Sequence, residues 1–181
     1  MPANPALPHL STASMSHTQR TDDLLARLDE ATRRFVSRLE RAGPLAEAAT
    51  TGWTAAQVGA HVALVNDNFT TVFDGSNPAL RPPLEEFVER PWSAVAAAIP
   101  ERLEAPARFI PPAGISGAEA AERVRQSAAR LATAIAAVPP ERGRYCFTNR
   151  IVGTISVYQA GDWAIAHIIR HNQQAKRILG Q

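Results

Sequence analysis

Four stretches of this chain place apolar residues three and four positions apart, the spacing that lines one face of an α-helix, and no stretch alternates strongly enough to specify a strand. In the first, Leu24, Leu25, Leu28, Phe35, Val36 and Leu39 recur between about Ser16 or Thr21 and Ala42. Thr21-Asp22-Asp23 puts a cap and acids at its positive end, and Gly43-Pro44 stops it. The second has the clearest start. Thr54 and Gln57 have capping-box spacing, Trp53 and Val58 can form a hydrophobic staple, and Val58, His61 or Val62, Val65, Phe69 and Val72 continue one face to Gly75. The third opens on Ser116 with Glu119, a second capping box, carries Val124, Leu131, Ile135 and Val138, and ends at Pro139-Pro140. The fourth is expected from about Thr154 to Leu179, closed by Gly180.

Four amphipathic helices without partner strands predict an all-α fold, a four-helix bundle. Short links join the first helix to the second and the third to the fourth, which makes each of those pairs antiparallel. Between the second and third lie residues 76–115, interrupted by Pro78, Pro82, Pro83, Pro91, Pro100, Pro106, Pro111 and Pro112. They read as a long crossover with one or two short helices, one of them near Ser93–Ile99. Such a connection crosses the molecule or covers a site. If it runs the length of the bundle, the second and third helices are parallel and the order is up-down-down-up. Residues 141–153 read as a loop with a brief extended piece at Tyr145–Phe147.

Hydrophobic residues make up 45% of the 181, enough for one sizeable core. Residues 18–181 are expected to be a single domain behind a disordered leader, 1–17, with Met15 as an alternative start. The leader lacks the basic and continuous apolar regions of a signal peptide. No apolar run approaches the ~20 residues of a membrane span. Nineteen basic residues face 17 acidic ones and are spread along the chain, so the net charge of +2 makes no nucleic-acid stripe. The single cysteine, Cys146, excludes an intrachain disulfide and suits a reducing, cytoplasmic compartment.

The histidines carry the chemistry. His167 and His171 form H-x-x-x-H inside the fourth helix, one turn apart on one face, so both imidazoles can converge on one ion. Ala160, Trp163, Ala164, Ile168 and Ala175 surround that face, and two buried imidazoles without partners would be costly. His61 lies among Val58, Val62 and Val65 on the second helix, where only the fold can bring it to the other two. Three neutral imidazoles suit a borderline divalent ion. Taken singly, the pair could instead be surface residues and His61 a hydrogen-bonded core histidine. His9 and His17, in or beside the leader, carry no weight. Ile168 stands where a zincin would have Glu, so metalloprotease chemistry is not expected.

The segments W-T-A-A-Q-V-G-A-H (Trp53–His61) and H-I-I-R-H-N-Q-Q (His167–Gln174), with the crossover between them, resemble the DinB-like family of small bacterial four-helix metalloproteins over about residues 18–180. The resemblance implies an up-down-down-up bundle, a metal site at His61, His167 and His171, and a homodimer. The implied metal is zinc or nickel, with iron or manganese as alternatives. It also implies a metal-dependent enzyme, a hydrolase or a thiol transferase, in which a water or a low-molecular-weight thiol (mycothiol, bacillithiol or glutathione) is activated. The alternative is a non-enzymatic, metal-stabilised stress or ligand-binding protein. The sequence assigns no catalytic residue. Asp67, Asn68 and Asp162 are candidate helpers, Arg170 a candidate carboxylate-binding residue, Trp53, Tyr158 and Trp163 candidate pocket walls, and Gln174 a candidate outer hydrogen-bond partner.

Overall fold

A computed structural model describes residues 15–48, 51–100 and 103–181. The helices are α1 (His17–Ala42), α2 (Ala55–Asp74), α3 (Trp92–Ala97), α4 (Gly117–Ala137), α5 (Pro140–Gly143) and α6 (Val157–Ile178). Two short strands, β1 (Cys146–Asn149) and β2 (Gly153–Ser156), form an antiparallel hairpin, so the described residues are mostly helical with one small sheet. Among the described residues no helix is long and apolar enough to cross a membrane.

Local chemistry fixes the helix starts. Ser16, Thr54 and Ser156 each accept from the backbone N–H three residues on, while Gln19, Gln57 and Gln159 reach back to the cap residue's own N–H. Each box satisfies two N–H groups that a helix N-terminus otherwise leaves without partners. Ser116 makes only half of its expected box: its Oγ accepts from Glu119 N–H, and the Glu119 carboxylate takes Arg123 instead. Gly75 ends α2 at φ 86°, a left-handed cap that glycine adopts without a Cβ penalty.

The fourth predicted helix starts later than expected, at Val157. Residues from Gly153 to Ser156 pair with Cys146–Asn149 before the helix begins. The extended piece read at Tyr145–Phe147 is therefore one arm of a hairpin. Its partner strand, Gly153–Ser156, is four residues long, the shortest run in which alternation can mark a strand. The expected leader lies outside the described residues up to position 14, as does His9. His17 opens α1, and its Nδ1 lies 2.6 Å from the Tyr158 hydroxyl.

Packing joins helices that are distant in sequence. α1 and α2 each pack mainly on α4 and α6 and touch one another only slightly. Phe35, Leu39, Leu28, Phe73, Leu131, Ile135, Ile165 and Ile168 fill the space between them. Each such side chain contributes about 1.5–3 kcal/mol of burial free energy. His61 meets His167 while Phe69 meets Trp163, so α6 runs opposite to α2. Gly59 lies against Ala120 and Asn66 donates to Ser127, so α4 runs with α2. Gly161 lets α6 approach α1 closely: a Cβ there would sit 2.8 Å from Leu24 and 3.1 Å from Phe73.

Candidate metal centre

The packing of α2 on α6 brings together the three histidines that the sequence singled out. One ligand atom from each of His61, His167 and His171 lies within 4.8 Å of the others. His61 Nε2 and His167 Nε2 are 3.2 Å apart. Nitrogens bound to one ion at ~2.0–2.1 Å would stand roughly 3.4 Å apart at tetrahedral angles. The cluster therefore needs little closing to hold one.

The outer nitrogens decide what the inner ones can do. His61 Nδ1 lies 2.7 Å from the Phe109 carbonyl, which can only accept, so that nitrogen carries the proton and Nε2 keeps its lone pair. His171 Nδ1 lies 2.7 Å from Gln174 Oε1, and with that oxygen accepting, His171 Nε2 is likewise left as a lone pair. His167 Nδ1 is buried and has no hydrogen-bond partner among the described residues. A cation among the three would be met by the lone pairs of His61 and His171, and the donor set suits a borderline divalent ion.

The electrostatics keep the cluster neutral. Burial lowers the His61 pKa against the opposing pull of its Phe109 bond. Burial, then the neighbouring His171, His61 and Arg170, push His167 well below the usual histidine range. His171 falls to about 4, chiefly through burial and then through His61. Neutral imidazoles are the form that binds metal. A consequence can be tested on metal-stripped protein. His171 has a folded pKa below its unfolded value of 6.5, so its contribution to stability is complete above pH 6.5 and is lost as pH falls toward 4. Denaturant titrations should show a loss of stability across that window to which His171 contributes roughly 3 kcal/mol, and the loss should be smaller in His171→Gln, where His61 and His167 still titrate below their unfolded values.

The remaining candidates fall in different places. Trp53 stands 5.0 Å from the His61 ring and walls the cluster. Trp163 stacks edge-on with Phe69 at 5.8 Å. Arg170 donates to the Pro100 carbonyl at 3.0 Å, close enough to the cluster to lower the pKa of His167 and His171. Asp67 is held bidentate by Arg130 at 2.9 and 3.0 Å on the exposed seam with α4. Asn68, the next residue, is about 10 Å along the helix axis from His61.

Asp162 and Tyr158 belong to a second polar cluster near the start of α6. Asp162 accepts from Arg27 at 2.7 Å and faces Arg20 at 3.8 Å. Arg20 also lies 3.4 Å from Glu89 and over the Tyr158 ring at 4.9 Å. Glu89 in turn accepts from the Ser156 hydroxyl. This network ties the crossover to α1 and α6. Its acids and bases are consumed by one another, which separates Asp162 and Tyr158 from the histidine cluster.

The Phe109 carbonyl is the functional group that sequence reading missed. Every residue carries a carbonyl, so no residue type signals it; the hint was the crossover itself, long enough to cover a site. Among known proteins, no curated protein and no solved structure matches the chain. The sequence profile described as the DinB superfamily matches residues 16–175, which takes in both histidine segments and the four long helices up to the last three residues of α6. The chain belongs to the DinB superfamily.

Proposed function

We propose that this protein is a metal-dependent enzyme that activates a water or a low-molecular-weight thiol at His61, His167 and His171. The observation that supports it is the convergence of three neutral imidazoles, two of them locked in the Nδ1–H form by outer partners. A divalent ion held there supplies Lewis acidity that brings a bound water toward pKa ~7 or deprotonates a coordinating thiol. Phe109 and Gln174 hold the ligand rings in orientation. Trp53 shields one side of the cluster, and Arg170 adds positive charge beside it. Zinc or nickel is the metal this donor set favours, with iron or manganese next.

The same reading takes the four long helices as an up-down-down-up bundle over residues 18–181. It places the protein in the cytoplasm and takes it to be a homodimer. Leu84 and Val88, 71% and 79% exposed on the crossover, support the dimer, and light scattering at micromolar concentration should give twice the chain mass.

The test of the main reading is elemental analysis of untagged protein, followed by a screen of low-molecular-weight thiols and of water against electrophilic acceptors. Stoichiometric divalent metal and metal-dependent turnover are expected. Metal-free protein that cannot be loaded would overturn the reading. No protein thiol should be needed. Cys146 is buried on β1, its pKa is pushed up to about 11 mainly by burial, and its Sγ–H donates to the Arg144 carbonyl. Cys146→Ser should therefore keep turnover within about twofold per bound metal, whereas loss of turnover with metal retained would make the thiol the nucleophile.

A further inference from the structure

Part of the crossover is anchored directly to the candidate metal centre. Ala107–Phe109 forms a single 3-10 turn, with Phe109 N–H donating to Pro106 O at 2.8 Å and Ile110 N–H to Ala107 O at 3.2 Å. A turn this short gains little from its own hydrogen bonds. What fixes it comes from outside. The Phe109 carbonyl accepts from His61 Nδ1–H at 2.7 Å, and the Phe109 ring packs against the main core. Pro111 is buried, and the Pro112 carbonyl accepts from Gln57 Nε2 at 3.5 Å. The Arg108 guanidinium lies over the Phe109 ring at 4.6 Å. The shortest of these anchors ends on a histidine of the metal cluster.

We propose that the segment Leu103–Pro112 is a metal-responsive strap, in which occupation of the three-histidine site by a divalent cation and docking of the Ala107–Phe109 turn stabilise each other through the bond from His61 Nδ1–H to the Phe109 carbonyl. The inference rests on the metal reading above and adds a coupling to it. A cation on Nε2 requires the proton to be on Nδ1, so it holds the His61 ring in the one form and orientation that donates to Phe109. With the turn undocked, Nδ1–H loses its acceptor and the ring is free to change tautomer and rotate, which weakens the site. Equilibrium coupling is reciprocal: whatever the cation contributes to docking, docking contributes to cation affinity. Phe109 is thus a positioning residue that acts through His61. The strap is the wall of the site whose docking the cation strengthens.

The experiment uses the full chain, stripped of metal and titrated with Zn²⁺, with binding followed by competition against a chromophoric chelator. Amide hydrogen exchange is read at Phe109 and Ile110, with Phe147 and Ile155 of the hairpin as reference. Stoichiometric Zn²⁺ should slow exchange at Phe109 and Ile110 at least tenfold and leave the hairpin unchanged. Phe109→Ala keeps the carbonyl but removes the ring that packs the turn on the core, and should weaken Zn²⁺ binding by up to about tenfold, the lower end of the cost of losing an outer-shell partner outright. Pro106→Gly, which only adds freedom to the undocked chain, should weaken it a few-fold and serves if Phe109→Ala does not fold. If Zn²⁺ binds but exchange in the turn is unchanged, or if the variants bind as tightly as the parent, the coupling is wrong and the metal reading stands. If Zn²⁺ does not bind at all, the metal reading falls and takes the strap with it.

Discussion

Replacing His171 with alanine is expected to cost the protein its metal and its turnover together. His171 contributes one of three convergent nitrogens and is itself held by Gln174. Two imidazoles alone hold a divalent ion poorly, so affinity should drop by more than the ten- to hundredfold cost of losing an outer partner. The fold should survive in metal-free form, because the main core of Phe35, Leu39, Phe73 and Ile165 is untouched. Gln174→Ala is the graded comparison. It frees the His171 ring without removing the ligand, and should lower affinity about tenfold while leaving turnover per bound metal close to the parent's. Inductively coupled plasma analysis with activity on the same samples checks both. Retention of one metal per chain by His171→Ala would remove this histidine from the site.

Removing the carboxylate of Asp162 should produce the largest loss of stability among single changes outside the apolar core. Asp162 is 6% exposed, and burial raises its pKa while Arg27 and Arg20 pull it back. Asp162→Ala leaves Arg20, also 6% exposed, without this carboxylate but with Glu89 at 3.4 Å. Breaking a buried pair from one side typically costs about 3–5 kcal/mol. With Glu89 still in place, about 3 kcal/mol is expected, a fall in Tm of roughly 6–12 °C for a chain of this size. The share from Arg27 is small, because that side chain is 41% exposed and screened by solvent. Zn²⁺ affinity should not change, since Asp162 faces α1 rather than the histidines. If Asp162→Ala kept its stability but lost turnover, Asp162 would be a catalytic helper after all.

Helix identity and helix starts were readable from the chain alone, because both are written in local spacing. Thr54 with Gln57 gave a complete cap, and the i, i+4 spacing of His167 and His171 put two imidazoles on one face before any packing was known. The same local logic failed where two structures compete for one segment. Gly153–Ser156 can begin a helix, and the register with Cys146–Asn149 turned it into a strand. Ser116 and Glu119 had box spacing, and a nearby Arg123 took the carboxylate.

What the sequence determined, then, is which faces are apolar, where the helices begin, and which histidines those faces carry; these follow from periodicity and capping within a few turns of chain. Whether His61 reaches His167 across 106 positions was decided only by the antiparallel packing of α2 on α6. That the outer nitrogen of His61 ends on the Phe109 carbonyl, and that Asp162 is consumed by Arg20 and Arg27, was likewise decided by tertiary structure. The physical reason is the same in each case. A backbone carbonyl has no residue signature, and the partner of a buried charge is chosen by distances that exist only after the helices have packed.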